Sequence, residues 1–229
     1  LDLEGTRVGE HLSGFGEKSE QDILRGLELY KQGHERLLLG AALPLAQSLE
    51  ARLRQHPDVL RADVAGSIRR RKETVKDIDF LVVSKTPEKI TEFFSQLSEV
   101  QSVLARGSTK CSVRLKDGLN ADLRAVEEKS YGAALAYFTG SKEHNIRLRQ
   151  LALKKGWTLS EYGLFDRKTK RYLAGRTEEE LYKKFSLPYI PPELRENTGE
   201  IEAAQIGKLP KLIPYNSLRG DLLTHTNWS

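Results

Sequence analysis

The sequence predicts an α/β (α+β) fold, on three observations. Residues 11–55 keep helical spacing, with Leu37, Leu38, Leu39, Leu43, Leu45 and Leu49 recurring along 34–55. From Val59 to Val126 the period changes to two, in short β-branched runs at 62–67, 77–83, 101–106, 109–115 and 119–126. From Ser130 to Lys155 the helical pattern returns.

The remaining elements follow from punctuation. A Gly14-Phe15-Gly16 turn leads into a helix over 18–33, and a helix over 87–98 interrupts the strand region. Tyr162 to Phe165 and Arg171 to Ala174 flank the polar turn Asp166-Arg167-Lys168-Thr169-Lys170, which predicts a hairpin. Thr177 caps a helix over 178–185, with Glu180 completing a capping box. Pro191-Pro192 ends that unit, and Lys208 onward reads as a linker.

The chain has 229 residues, enough to bury a core as one or two domains. No apolar run approaches the roughly 20 residues a membrane helix needs, so no membrane partner is expected. A charge of +5 permits a polyanionic partner without requiring one. The single cysteine, Cys111, has no partner for an internal disulfide, which fits a reducing, intracellular setting. The chain lacks methionine and stops at Thr226-Asn227-Trp228-Ser229 without a stop signal, so a fragment of a longer protein is expected.

Asp77-Ile78-Asp79-Phe80 is the most informative segment. On a strand Asp77 and Asp79 share one face, while Ile78 and Phe80 take the other. Asp122, in the run 119–126, could pair alongside. Two carboxylates about 4 Å apart repel by roughly 4 kcal/mol at an effective dielectric of 20. Such a cluster wants protons, arginines or divalent cations, and its hard oxygens suit Mg²⁺ or Mn²⁺. Alone, Asp77 and Asp79 fit a solvent-facing amphipathic strand, paired with nearby arginines, better than a metal site. Ten residues upstream, however, Val64-Ala65-Gly66-Ser67-Ile68-Arg69-Arg70-Arg71 joins a strand end to a small hydroxyl residue and three arginines. Glycine lets backbone N–H groups approach a phosphate, and guanidinium forks match its oxygens.

This pattern resembles the nucleotidyltransferase superfamily: Gly-Ser, about ten residues, Asp-x-Asp, then a third Asp on a later strand. Tyr137-Phe138-Thr139-Gly140-Ser141, Asn145 and Arg149, and Lys155-Gly156-Trp157-Thr158-Leu159-Ser160-Glu161-Tyr162 narrow the resemblance to the family X DNA polymerases, over roughly residues 12–206. The resemblance implies a palm sheet with helical fingers and a small α/β thumb. It divides the chain into fingers with a helix-hairpin-helix (1–55), palm (56–128), thumb (129–206), and a linker opening a truncated PHP phosphoesterase domain (207–229).

By the same resemblance, Asp77, Asp79 and Asp122 are catalytic and hold two Mg²⁺ ions, with Mn²⁺ a possible substitute. Gly66, Ser67 and Arg70 hold the triphosphate of a dNTP, and Tyr137 and Phe138 lie against its sugar. Gly140 and Ser141 open a helix, whose N-terminus suits phosphate. Asn145 and Arg149, one helical turn apart, face the nascent base pair and the template. Gly14, Gly16 and Lys18 belong to the helix-hairpin-helix, which would contact a DNA phosphate without reading sequence. The implied activity is template-directed DNA synthesis on gapped or primer-template DNA, in base-excision repair or end joining, by a monomer in the bacterial cytoplasm on the nucleoid.

The sequence departs from the family in places. Asn120 stands where the pattern has arginine, and Lys142 where it has aspartate, the latter as in the bacterial branch. The family's N-terminal lyase domain is absent, so no deoxyribose-phosphate removal is expected. In Arg219-Gly220-Asp221-Leu222-Leu223-Thr224-His225-Thr226, Leu223 replaces the first histidine of the PHP motif, leaving His225, and no nuclease or proofreading activity is expected. Two alternatives stay open: a template-independent nucleotidyltransferase, and a DNA-binding fragment with weak or no catalysis.

Overall fold

The computed structural model describes residues 36–214, together with 217, 219 and 220. The turn and helix-hairpin-helix with Gly14, Gly16 and Lys18, and the segment around Leu223 and His225, lie outside the described residues.

A five-stranded mixed sheet is the centre of the fold. Its strands are β2 (Val59–Val64), β4 (Asp77–Ser84), β5 (Val100–Arg106), β6 (Lys110–Leu115) and β7 (Asn120–Val126), in the order β2-β4-β7-β6-β5. Only β4 and β7 run parallel; every other neighbouring pair is antiparallel. Helices α1 (Leu39–Gln55) and α3 (Pro87–Ser95) cover one face. There Ala42, Leu49, Ile90 and Phe94 close on Ile78, Phe80, Val82 and Leu123. The alternation along β4 then decides the other face. Ile78, Phe80 and Val82 enter that core, so Asp77, Asp79, Leu81 and Val83 point the opposite way. Leu81 and Val83 are buried against Tyr131, Ala134 and Leu135, the start of the helical half of the chain. The aspartates occupy the uncovered end of the same face.

Two expectations are corrected here. The run 62–67 stops as a strand at Val64, and Gly66–Arg69 forms one helical turn, α2. Ala65 still donates to Asp79 O at 2.8 Å, but Gly66 turns to a φ of +63°, which ends the extended path. Leu37 and Leu38, read as helix, form the short strand β1 against β3 (Thr74–Val75). Helix α1 packs into the core of the sheet.

Beyond Val126 the chain builds a second core. Gly140 splits the long helical reading of 130–155 into α4 (Tyr131–Thr139) and α5 (Lys142–Lys154). The predicted hairpin is β9 (Gly163–Asp166) with β10 (Tyr172–Ala174), and an unpredicted strand, β8 (Trp157–Ser160), completes a three-stranded sheet. Helix α6 (Glu178–Lys184) starts as expected: Thr177 Oγ1 accepts from Glu180 N at 3.1 Å. The Glu180 carboxylate reaches past Thr177 to accept from Arg176 N and Gly175 N at 3.0 and 3.2 Å. A last short helix, α7 (Glu200–Gln205), was not legible in the sequence. Leu148, Ala152, Leu164, Tyr182, Ile190 and Ile201 are buried together in this core.

The two cores meet at a polar seam. The Tyr131 hydroxyl donates to Asp63 on β2, and the Arg61 guanidinium lies 4.2 Å above its ring. Among the described residues no helix is long and apolar enough to cross a membrane.

Candidate active site

Strand register brings the aspartates together. Asp77 pairs with Asn120, Ile78 with Ala121 and Asp79 with Asp122 across the parallel β4–β7 ladder. Adjacent strands lie about 4.8 Å apart, so Asp79 and Asp122 stand side by side on one face, with Asp77 two residues away. Burial pushes the Asp79 carboxyl up to about 7, reinforced by the charges of Asp77 and Asp122 and opposed by Arg124 and Arg70. Asp77 is raised for the same reasons, burial first and then Asp122.

Asp122 has neighbours that the sequence reading did not identify. Ser112, its register partner on β6, donates its hydroxyl to Asp122 Oδ1, and Lys110 Nζ lies 3.9 Å from the same oxygen. The carboxylate is thus turned toward β6. Among the described residues no three carboxylate, imidazole or thiol groups converge closely enough to hold a metal ion as they stand. The donor chemistry nevertheless fits a hard divalent cation: three carboxylates on two adjacent strands, one too buried and crowded by like charge to ionise readily.

Gly66 is dictated by this geometry. A Cβ added there would fall on Asp79 Oδ2, and its φ of +63° is already costly for an L side chain. Gly66→Ala is therefore expected to displace the Asp79 carboxylate and destabilise the fold by about 2 kcal/mol or more. Chemical denaturation with and without Mg²⁺ checks this; a wild-type midpoint with wild-type Mg²⁺ stabilisation would contradict it.

The three arginines divide their work. Arg69 turns away from the aspartates: Nη1 donates to Thr139 Oγ1 at 2.7 Å, and its fork meets Glu178 at 3.0 and 2.6 Å. Arg70 stays on the site side, where its charge acts on Asp79, but its fork is engaged by Glu196 and by Thr139 O. Ser67 sits half-buried in α2.

Helix α5 is anchored from below. Ser141 is its N-cap, with Oγ accepting from His144 N at 3.2 Å, and the Gly140–Ser141 peptide is cis. The hydroxyl of Ser141 is buried in this role, and Ser141 N donates to Arg195 O at 3.0 Å. His144 is buried between Glu200, 2.6 Å from Nδ1, and the Tyr182 hydroxyl, 3.0 Å from Nε2. Burial pushes its imidazole pKa down although Glu200 opposes this, so Nδ1–H donates to Glu200 and Nε2 accepts from Tyr182. Above this anchor, Asn145 Nδ2 donates to Tyr137 O at 2.7 Å, and Tyr137, Asn145 and Arg149 line one small recess. Tyr137 and Arg149 are exposed; Phe138 is half-buried with the Arg124 guanidinium 4.8 Å above its ring. A cleft of about 740 Å³, lined by Arg124, Phe138, Tyr162, Tyr172 and Arg176, separates the two halves on this side.

A mixed sheet with two aspartates on one strand, a third on its parallel neighbour and a glycine turn against them is the palm of a nucleotidyltransferase. Residues 134–196 match the DNA polymerase beta thumb family. The chain is 39% identical over 220 residues to "DNA polymerase/3'-5' exonuclease PolX" of Bacillus subtilis, covering 95% of this chain and 38% of that relative. It is 33% identical over 140 residues to "Repair DNA polymerase X" of African swine fever virus (isolate Pig/Kenya/KEN-50/1950), covering 57% of this chain and 78% of that protein. The fold matches Leishmania infantum polymerase beta in a ternary P/T complex, with a TM-score of 0.64, 22% identity, and coverage of 75% of this chain and 80% of that one. The chain belongs to the family X DNA polymerases. It spans 38% of the length of the Bacillus relative.

Proposed function

We propose that the chain is the polymerising core of a DNA-directed DNA polymerase that fills short gaps during DNA repair. The observation that carries this is the register of Asp79 against Asp122, with Asp77 on the same face and Gly66 beneath. Likeness to a repair polymerase from a virus and to PolX from a bacterium supports the substrate class. The chain would divide into fingers (1–55), palm (56–128) and thumb (129–206), a reading that the two buried cores support. Gly14, Gly16 and Lys18 would contact the DNA backbone as a helix-hairpin-helix. The protein acts as a monomer in a bacterial cytoplasm, on the chromosome.

The primer 3′-oxygen attacks the α-phosphorus of a dNTP, the bond to the bridging oxygen breaks, and pyrophosphate leaves. Asp122, opposite Asp79, receives the hydroxyl proton. Asp77, Asp79 and Asp122 would hold two Mg²⁺ ions (or Mn²⁺). Bound there, divalent cations supply Lewis-acid chemistry, acidifying the attacking hydroxyl and neutralising phosphate charge. Gly66, Ser67 and Arg70 receive the triphosphate, with Gly140 and Ser141 shaping the turn beside them. Tyr137 and Phe138 flank the sugar, while Asn145 and Arg149 face the new base pair.

Extension of a primer across a one-nucleotide gap with Mg²⁺ tests the reading. Wild type is expected to insert the templated nucleotide, and Asp122→Ala to lose on the order of 10³-fold in rate. Equal rates for the two proteins would sink the role of Asp122. Insertion that ignores the templating base, or persists without it, would reassign the chain as a template-independent transferase.

A further inference from the structure

We propose that Glu196 is a gate on the triphosphate site: it holds Arg70 in the ligand-free protein and yields it only to a polyphosphate, while Lys72 keeps Glu196 paired. The proposal rests on the reading of Arg70 as a triphosphate ligand. Arg70 Nε donates to Glu196 Oε1 at 2.8 Å and Nη1 donates to Thr139 O. Two of the three guanidinium nitrogens that would grip a phosphate are therefore already engaged, one of them by a carboxylate. Lys72 Nζ lies 3.6 Å from the same Glu196 oxygen. Two cations thus share one carboxylate, and either can keep it neutralised when the other leaves.

The contact is built into the fold rather than made by wandering surface chains. The Arg70 side chain is 14% exposed and Glu196 27%, so both are partly shielded from water. Glu196 follows Arg195, which is fully buried and whose carbonyl accepts from Ser141 N. On its other side, Asn197 N and Thr198 N both donate to the Glu200 carboxylate, at 3.0 and 2.8 Å. The backbone that carries Glu196 is fixed on both flanks, and the side chain is aimed at α2. Beside it opens a basin of about 470 Å³ lined by Arg36, Arg70, Lys72, Glu193 and Glu196 among others. It gives the displaced carboxylate room to stay with Lys72.

A carboxylate and a phosphate compete for the same guanidinium edge. A ligand with one phosphate gains too little to evict Glu196. A triphosphate that also reaches the Gly66-Ser67 turn gains enough. The gate therefore favours nucleoside triphosphates over monophosphates and over inorganic phosphate at the same concentration.

The test is equilibrium binding of dTTP with Mg²⁺, and of inorganic phosphate, to the full chain and its variants, measured by isothermal titration calorimetry. Glu196→Gln removes the competing charge but keeps the shape. It is expected to bind dTTP more tightly, by on the order of tenfold, and to take up inorganic phosphate that wild type refuses. Lys72→Met strands Glu196 on Arg70 and is expected to weaken dTTP several-fold. In the Glu196→Gln background, Lys72→Met should then change nothing. Arg70→Ala is the control for the underlying site and should weaken dTTP in every background. If Arg70→Ala has no effect, the reading of Arg70 fails and the gate with it. If Arg70→Ala weakens binding but Glu196→Gln leaves it unchanged or weaker, Glu196 is a support for Arg70 and the gate alone is overturned. A loss from Lys72→Met that persists without Glu196 overturns the hand-over, because Lys72 then touches phosphate itself. Extension kinetics give an independent readout: a gate lowers KM for dNTP in Glu196→Gln, whereas a merely structural contact would raise it.

Discussion

Replacing Asp79 with asparagine is expected to abolish primer extension while making the metal-free protein more stable at pH 8. The two effects have one cause. Asp79 is half-buried beside Asp77 and Asp122, and its carboxyl is pushed up to about 7 from the ordinary 3.8. Between those values the folded chain keeps a proton that the unfolded chain has lost. Stability in a chelator therefore falls as pH rises from about 4 to about 7 and levels off above that. At 1.36 kcal/mol per pKa unit, the loss is on the order of 2–4 kcal/mol, spread over a broad range because Asp77 titrates with it. Asparagine carries no charge to desolvate, so the variant should lack this slope and gain little near pH 4. Mg²⁺ should restore wild type more than the variant, since the cation binds the native carboxylates. Thermal melts from pH 4 to 8, with chelator and with Mg²⁺, check all three statements. A wild-type slope in Asp79→Asn would show that the carboxylates do not strain the metal-free fold.

This strain was half legible in the sequence. The period-two spacing places Asp77 and Asp79 on one face, and the buried Ile78 and Phe80 on the other bear that out. The register that sets Asp122 against Asp79 is not written in either strand; it follows from a parallel pairing between segments some forty residues apart. For the same reason nothing in Lys110-Cys111-Ser112 announces that Ser112 will hold Asp122. Local signals did better where the physics is local. Thr177 is a cap because its hydroxyl needs only the next turn. Trp157–Ser160 was missed because four residues after a helix carry too little pattern to be told from a loop. Helix α7 was missed because its N-cap is Gly199, which offers no capping side chain, while the Glu200 carboxylate accepts from Asn197 N and Thr198 N ahead of the helix.

Of the three adjacent arginines, sequence could name the group but not its division of labour. Arg70 remains beside the aspartates, whereas Arg69 crosses to the other half of the molecule and ends in a buried charge cluster. That difference depends on which way a single helical turn faces, and the first two residues of α2 fell in the run 62–67 read as strand. Charged residues at 178 and 195 gave no hint of burial, since such residues ordinarily stay in water.

Glu178→Gln is expected to destabilise the protein by about 3–5 kcal/mol at pH 7, the usual cost of leaving a buried charge without its partner. Glu178 Oε1 lies 2.5 Å from Arg195 Nη1, and Oε2 lies 2.6 Å from Arg69 Nη2. Arg195 is fully buried; its Nε donates to Ile190 O, and its Nη2 has no hydrogen-bond partner among the described residues. The rings of Tyr182 and Tyr189 lie 5.2 and 5.3 Å from the guanidinium. Burial alone would raise the Glu178 carboxyl, but hydrogen bonds and charge from Arg69 and Arg195 hold it at about 2. The stability this confers is present above the ordinary carboxylate range and is lost as pH falls from about 4.5 to about 2. Glutamine removes the negative charge and leaves two guanidiniums facing each other. For a chain of this size the melting temperature should drop by on the order of 10 °C at pH 7. The gap between wild type and variant should narrow toward pH 2, because acid then does to wild type what the substitution has already done. Replacing Arg69, Glu178 and Arg195 together by apolar residues of similar volume should recover much of the loss, since no charge is then stranded. A small change at pH 7 for the single variant, below about 1 kcal/mol, would mean that water reaches Arg195 when Glu178 is neutralised.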